Sequence, residues 1–313
     1  MLDALSVPFF FVLGLALLIK GGDFLVDGSK ALALRLGLTP MVVGLTVVGF
    51  GTSAPELLVS VQAALHGSPA IALGNVMGSN VANVLLILAV GGVLAKGLAL
   101  PFASMQRDLL FMMGSAALAW FLLSNGTVGR MDGLLLLAGL ALFLFLSLRG
   151  DHGPALSEDA KAALPKAIVS IALVVGGLVA LVFGARFLVD AATTIARGVG
   201  ISEAVIGLTV VAVGTSLPEL SATIAAARKG EMAIAVGNVV GSNIFNILGI
   251  LGATALIAPI PADGRFVLVD APLALGVAVL VTALAGVYHR LSLRAAWALL
   301  GLYVAYTLTM LVG

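Results

Sequence analysis

Two glutamates stand in matching polar surroundings in distant parts of an apolar chain. Glu56 ends the sequence G-T-S-A-P-E, and Glu219 ends the sequence G-T-S-L-P-E. Each follows a threonine by four positions, so in a helix the hydroxyl of Thr52 or Thr215 lies on the same face as the carboxylate. Carboxylate and hydroxyl oxygens are hard donors, which suit Ca²⁺ or Na⁺. The two motifs therefore predict the halves of one cation site.

A second polar motif, G-N-V-x-G-S-N-x-x-N, follows each glutamate at the same distance, at residues 74–83 and 237–246. In each copy a serine precedes the last asparagine by four positions, which places both on one helical face. The last asparagines are therefore predicted site residues, with these serines beside them: Asn83 with Ser79, and Asn246 with Ser242. The other four asparagines are equally consistent with capping or cross-linking helices: Asn75, Asn80, Asn238 and Asn243.

A proline precedes each glutamate and predicts a break in its helix. Pro55 and Pro218 have no N–H, and each ring collides with the carbonyl four residues earlier. Carbonyl groups near residues 49–51 would then lack a partner within the helix. Lipid cannot satisfy them, so such a break is tolerated only beside protein, water or an ion.

The residues that are missing narrow the chemistry. The chain has no cysteine, and none of its three histidines lies in either motif, which argues against a zinc or copper site. No catalytic motif for an intramembrane enzyme is present, and no cofactor is expected. A net charge of +1 argues against nucleic acid as a partner.

Composition places these motifs inside a lipid bilayer. Of the 313 residues 61% are hydrophobic and 10% are charged, and the mean hydropathy is +1.20. These values predict an all-α polytopic membrane protein. Ten spans fit the apolar segments, at about residues 4–30, 38–65, 70–95, 107–123, 131–148, 166–196, 203–227, 232–258, 266–287 and 291–311.

The two halves of the chain are related by an internal repeat. A shift of 163 positions aligns residues 24–83 with 187–246 without a gap, and 31 of the 60 pairs are identical. We predict a first five-helix half (1–149), a linker (150–165) and a second half (166–313). Five spans per half would make the second copy enter the membrane from the opposite face.

Basic residues predict the orientation of this inverted pair. With both termini outside and the linker cytoplasmic, the inner loops hold eleven Lys and Arg residues and the outer loops three. Inverted repeats with matching polar residues are typical of secondary transporters, whose site lies near the midplane. The alternative is an old duplication retained for packing, which would preserve small residues but has no use for the glutamates.

The motifs G-T-S-x-P-E and G-N-x-x-G-S-N resemble the two repeats of the cation/calcium exchanger superfamily, specifically the compact prokaryotic sodium/calcium exchangers. The resemblance covers nearly the whole chain. It implies an antiporter of a prokaryotic plasma (inner) membrane that exchanges Na⁺ for Ca²⁺ by alternating access. The second, third, seventh and eighth helices would hold the ions, while the long first and sixth helices slide across them.

The resemblance also implies which residues bind each ion. Calcium would be held by Glu56 and Glu219 with Thr52 and Thr215. Sodium would add a further set of hydroxyl, amide and carbonyl groups: Ser53, Ser216, Ser79, Ser242, Asn83 and the carbonyls near Gly49 and Ala212. Several members of the family carry Asp where this chain has Asn246, so the centre here has two carboxylates and not three.

Three alternatives stay open at this stage. An antiporter that exchanges H⁺ for Ca²⁺, or one that moves another divalent cation, would use the same site. A passive cation channel could be lined by the two broken helices.

We expect Ca²⁺ and Na⁺ as substrates, the lipid bilayer as surroundings and no obligatory protein partner. A monomer is expected to suffice, because the duplication supplies both halves.

Overall fold

The computed structural model describes residues 6–150, 163–199, 212–262 and 264–312, and these residues are predominantly helical. The predicted linker lies largely outside them, as does the start of the predicted seventh span. The helices of the first half are α1 (Val7–Leu36), α2 (Pro40–Thr52), α3 (Ala54–Leu65), α4 (Pro69–Leu94), α5 (Phe102–Leu123) and α6 (Arg130–Gly150).

The second half follows the same order. Its helices are α7 (Ala167–Gly198), α8 (Ala212–Thr215), α9 (Leu217–Arg228), α10 (Met232–Ile257), α11 (Phe266–Tyr288) and α12 (Leu293–Val312). Six described helices are long and apolar enough to cross a membrane, and α2 with α3 forms a seventh if the bent pair is counted as one span. Each predicted span contains helical residues. The count of ten spans stays a prediction.

Helices α1 and α7 pack closely against each other because glycines line their interface. An added Cβ at Gly14 would meet the carbonyl oxygen of Gly184 at 2.9 Å, and one at Gly21 would meet that of Gly177 at 2.9 Å. The numbers rise along one helix as they fall along the other, so the pair is antiparallel. Their shared apolar cluster also contains residues of α2, α9 and α10, so this pair lies against the helices that carry the motifs.

Two short strand pairs join loops that are far apart in the chain. Strand β1 (Leu98–Ala99) pairs with β4 (Arg290–Leu291), and β2 (Thr127–Val128) pairs with β3 (Ile260–Pro261). Both pairs are antiparallel, and each connects a loop of the first half to a loop of the second. A large apolar core spreads over α4, α5, α10, α11 and α12 behind the motif helices.

Candidate cation-binding site

Both glutamates lie just after a break between two helices. Helices α2 and α3 are bent by 44° at Ser53, and Pro55 stands in the first turn of α3. In the second half, Ser216 separates α8 from α9, and Pro218 occupies the matching position. The break predicted from the prolines is confirmed. It places each glutamate in the first turn of the helix that follows, because an N-terminal turn accepts proline without losing a hydrogen bond.

The fold brings the two glutamates together. Glu56 and Glu219 are each 1% exposed, and Ser53, three residues before Glu56, contacts the carboxylate of Glu219. No ion pair among the described residues includes either of them. Among the described residues, the hydroxyl of Ser53 donates to Oε1 of Glu219 at 2.7 Å. Both carboxylate oxygens of Glu56 and Oε2 of Glu219 have no hydrogen-bond partner.

The predicted threonines and serines surround this carboxylate pair. Thr52 is fully buried, and its hydroxyl donates to the carbonyl of Val48 at 3.0 Å or to Oδ1 of Asn238 at 3.1 Å. Thr215 and Ser216 lie beside the carboxylate of Glu56, but neither hydroxyl has the distance and angle of a well-formed hydrogen bond. The matched positions of the two halves therefore differ in their hydrogen bonding.

The second motif contributes amide and hydroxyl groups from α4 and α10. Asn83 and Asn246 are each 1% exposed, and Oδ1 of each is buried without a hydrogen-bond partner. Ser79 is also buried. The hydroxyl of Ser242 donates to the carbonyl of Gly49 at 3.1 Å, so this carbonyl is engaged rather than free. Ala212 is the first described residue of α8.

Two of the four uncertain asparagines support the helix breaks. Asn75 donates to the carbonyl of Glu56 at 3.1 Å and to the hydroxyl of Ser60 at 2.9 Å. Asn238 makes the matching bonds, to the carbonyl of Glu219 at 3.1 Å and to the hydroxyl of Thr223 at 2.9 Å. These two asparagines hold the backbone that carries the glutamates.

The hydroxyl partners of these asparagines, Ser60 and Thr223, escaped the prediction from sequence. Their signal was available, because both carry a hydroxyl and align under the shift of 163 positions. A hydroxyl on the turn after each glutamate therefore completes the support of both breaks.

Glycines allow α2 and α10 to cross with their backbones in contact. A Cβ at Gly237 would lie 2.7 Å from the carbonyl oxygen of Met41, and one at Gly49 would lie 3.0 Å from the backbone nitrogen of Ser242. Gly237 and Gly241 therefore form a strip of small residues on α10 that lets α2 approach closely. No described atom lies within 4 Å of a Cβ placed at Gly78 in the first copy. The matching partner segment, 203–211, lies outside the described residues.

Taken together, the predicted side chains supply a buried set of oxygen donors with two carboxylates. Seven of their oxygens have no hydrogen-bond partner, and they belong to Glu56, Glu219, Asn83, Asn246, Thr215 and Ser216. The described residues contain no group of three or more His, Cys, Asp or Glu that could hold a metal ion. Any further ligands would therefore be neutral oxygens. Such a set suits Ca²⁺ or Na⁺, because both cations prefer oxygen ligands.

Comparisons with known proteins agree with this chemistry. The family model described as sodium/calcium exchanger protein matches residues 6–149 and again residues 169–312. A putative antiporter, CaxA of Alkalimonas amylolytica, is 39% identical in an alignment 287 residues long that covers 87% of this chain and 89% of the relative. The sodium/calcium exchanger MaX1 of Methanosarcina acetivorans is 33% identical in an alignment 292 residues long that covers 80% of this chain and 82% of the relative.

A solved structure gives the same result for the fold. The sodium-calcium exchanger NCX_Mj, soaked with zero Na⁺ and Ca²⁺, superposes with a TM-score of 0.88 at 30% identity. The match covers 98% of this chain and 100% of the other. With two matches to the family model and relatives that share most of its length, the chain belongs to the sodium/calcium exchanger family.

Proposed function

We propose that this protein exchanges Na⁺ for Ca²⁺ by alternating access at the site between Glu56 and Glu219. The observation that carries the proposal is the set of seven buried oxygens without hydrogen-bond partners. A buried polar atom without a partner is costly, so native structures rarely keep several of them together. Bound cations would provide partners for these oxygens.

The ligands divide between the two ions by charge. Two carboxylates neutralise one Ca²⁺, and the hydroxyls of Thr52 and Thr215 stand next to them. Na⁺ ions need less charge and accept neutral oxygens. We therefore assign the remaining oxygen groups to Na⁺: Ser53, Ser216, Ser79, Ser242, Asn83, Asn246 and the carbonyls of Gly49 and Ala212. Both ions use the glutamate pair, so they compete for the site, and competition for one site couples their movements.

Electrostatics would then enforce exchange over leak. An empty site carries two buried negative charges, and moving each of them past an apolar barrier costs at least several kcal/mol. A site loaded with Ca²⁺ or with Na⁺ is neutralised, and that cost falls. The change of access therefore occurs with ions bound.

Helices α1 and α7 are the elements that we assign to the change of access. The glutamates are each 1% exposed, so a cation reaches them only if a covering element moves. Helix α7 covers both breaks, because a Cβ at Gly51 would meet Leu178 and one at Gly214 would meet Val189. These contacts are apolar side chains, across which two helices can slide without breaking hydrogen bonds.

For the membrane arrangement we propose ten spans in two inverted halves, with both termini outside and the linker cytoplasmic. The strand pairs support this arrangement of the loops, because each pair joins two loops that the scheme places on the same side of the membrane. The ion pair between Lys30 and Glu231 and the bonds from Arg35 to the carbonyls of Leu164 and Pro165 obey the same rule. The excess of basic residues in the inner loops sets the orientation.

We also propose that the protein acts as a monomer in a prokaryotic inner membrane, because one chain supplies both halves of the site.

The test of the proposed function is Ca²⁺ uptake into proteoliposomes of purified protein, with Na⁺ inside and diluted outside. We expect uptake that requires the Na⁺ gradient and is lost in Glu219→Gln and in Glu56→Gln. Glu231→Gln is the matched control, since it changes a glutamate outside the site and should preserve uptake.

Other outcomes would redirect the proposal. Uptake that follows a pH gradient and ignores Na⁺ would keep the site but make the protein an H⁺/Ca²⁺ antiporter. Flux without counterflow would indicate a passive channel. Uptake that survives in both glutamate variants would show that the cation is bound elsewhere.

A further inference from the structure

Four asparagines form two crossed hydrogen bonds between the halves of the chain. Nδ2 of Asn83, in the first half, donates to Oδ1 of Asn243 at 3.1 Å. Nδ2 of Asn246, in the second half, donates to Oδ1 of Asn80 at 3.0 Å. The two bonds are equivalent under the shift of 163 positions. All four residues are at most 3% exposed, so water does not compete for these bonds.

Each bond fixes which end of a site amide points toward the cation. An asparagine amide carries an acceptor oxygen on one side and a donor nitrogen on the other. Because Nδ2 of Asn83 and of Asn246 is held by a neighbouring oxygen, Oδ1 of each is left without a hydrogen-bond partner. A reversed amide would instead present N–H groups to a cation and repel it.

The two acceptors are themselves oriented by further bonds. Nδ2 of Asn80 donates to the carbonyl of Asn243 at 3.3 Å. Nδ2 of Asn243 donates to the sulfur of Met112 at 3.5 Å. An amide held at its nitrogen presents its oxygen outward, and that oxygen receives Asn246 or Asn83.

We propose that Asn80 and Asn243 are positioning residues that set the selectivity of the site for Na⁺ relative to Ca²⁺. The inference rests on the proposed function, in which Asn83 and Asn246 bind Na⁺ only, while the glutamate pair binds both ions. Loss of either positioning residue frees a site amide to turn its nitrogen toward the ion. Na⁺ binding therefore weakens, while Ca²⁺ binding by the carboxylates changes little.

The experiment measures binding of ⁴⁵Ca²⁺ to the purified full chain and its displacement by Na⁺. In Asn80→Leu, which has a similar volume but no acceptor, we expect the Na⁺ concentration for half displacement to rise by about tenfold, since groups that orient metal ligands typically contribute 10–100-fold to affinity. The Ca²⁺ dissociation constant without Na⁺ should stay within about threefold, below the tenfold expected for Na⁺. Asn80→Asp keeps an acceptor oxygen and should restore more of the Na⁺ affinity than Leu does.

A double variant separates positioning from a general structural effect. If Asn80 acts through Asn246, the combination of Asn80→Leu with Asn246→Leu should raise the Na⁺ requirement no more than Asn246→Leu alone does. Independent roles would instead multiply the two effects. Equal losses of Na⁺ and Ca²⁺ affinity, or an unchanged Na⁺ requirement in Asn80→Leu, would overturn the proposal.

A second variant tests the same proposal if Asn80→Leu does not fold. Met112→Leu removes the sulfur that orients Asn243 and keeps a side chain of similar volume. It should shift the Na⁺ requirement in the same direction, and no shift would count against the proposal. The proposed function fails separately, if the wild-type protein binds no Ca²⁺ or if Glu219→Gln binds it as well as wild type does.

Discussion

Replacement of Gly241 by alanine should separate α2 from α10 and damage the site between them. A Cβ at this position would lie 2.7 Å from both the carbonyl carbon and Cα of Leu45, and closer still to its carbonyl oxygen. All of these atoms belong to the backbone, so no side chain can rotate away to make room. The two helices themselves have to move.

The size of this movement follows from the contact distances. Carbon atoms in contact lie about 3.5–4.0 Å apart, so the helices must separate by about 1 Å. The adjacent hydrogen bond from Ser242 to the carbonyl of Gly49 is 3.1 Å long, and such a displacement breaks it. Overpacking costs about 1–3 kcal/mol, and the lost bond adds about 1 kcal/mol. The free energy of unfolding should therefore fall by about 2–4 kcal/mol.

The loss of stability is measured by thermal unfolding of the purified protein in detergent, with size-exclusion chromatography as the readout of the fraction that remains folded. Gly241→Ala should melt several degrees below wild type and lose Ca²⁺ uptake in proteoliposomes. Gly276→Ala is the control, because Gly276 lies within α11 and has no atom within 4 Å of an added Cβ. It should melt at or slightly above the wild-type temperature, since alanine favours a helix by about 0.5–1 kcal/mol over glycine.

The loss of stability in each glycine-to-alanine variant should increase as the distance from the added Cβ to the nearest backbone atom decreases. Gly237→Ala, whose Cβ would be 2.7 Å from a carbonyl oxygen, should be less harmful than Gly241→Ala and more harmful than Gly276→Ala. The reasoning is refuted if Gly241→Ala keeps the wild-type melting temperature and uptake. It is also refuted if all three variants lose the same stability, because backbone contact would then not be the cause.

Four further substitutions test other parts of the structure. Ser53→Ala removes the 2.7 Å donor to Glu219 and should lower the unfolding free energy of the cation-free protein by about 1–3 kcal/mol. Ser216→Ala removes a hydroxyl that makes no hydrogen bond, so its effect should be near zero; equal melting temperatures for the two variants would contradict this difference. Gly230 has a φ of 75° in the turn before α10. Gly230→Ala should therefore lower the free energy of unfolding by about 1–2 kcal/mol. Melting temperatures measure this change too, and an unchanged melting temperature would show that the turn relaxes. Lys229→Gln removes partly exposed ion pairs to α1 and should lower the free energy of unfolding by less than about 1 kcal/mol. The difference from wild type should shrink as salt is added. A larger effect that salt does not reduce would contradict the assignment of a surface pair.

Local rules account for what the sequence predicted correctly. A proline inside a helix removes one hydrogen bond and clashes with the carbonyl four residues earlier, so a bend near Pro55 was predictable from local sequence, and it lies at Ser53. The encounter of Glu56 with Glu219 is a different case, because it joins positions 163 residues apart. It was predictable since two copies of one motif can meet at an axis, and burying the same carboxylate twice has little other use.

Hydropathy was a weaker guide because it measures contact with lipid and not helicity. In α4 and α10, 78% and 94% of the most apolar window is buried inside the protein, so their Gly and Asn residues face other helices. Helix α5 begins at Phe102, five residues before the predicted span at 107, because Gln106 and its charged neighbours lower the hydropathy without ending the helix. The partners of individual amides were also out of reach, since Met112 beside Asn243 leaves no signal in the spacing.

The repeated sequence predicts a symmetric site, and the structure is not symmetric. Ser53 donates to Glu219, whereas the matching hydroxyl of Ser216 donates to nothing and both oxygens of Glu56 have no hydrogen-bond partner. Identical side chains behave differently because their surroundings differ between the two halves. The alternating access proposed above requires such asymmetry, since a site that opens to one side at a time cannot treat its two halves alike in any single conformation. Under that proposal, the sequence predicts which atoms form the site, but the hydrogen bonds among them differ from one state of the cycle to another. In another state of the cycle we expect Ser216 to donate to Glu56 and Ser53 to be released.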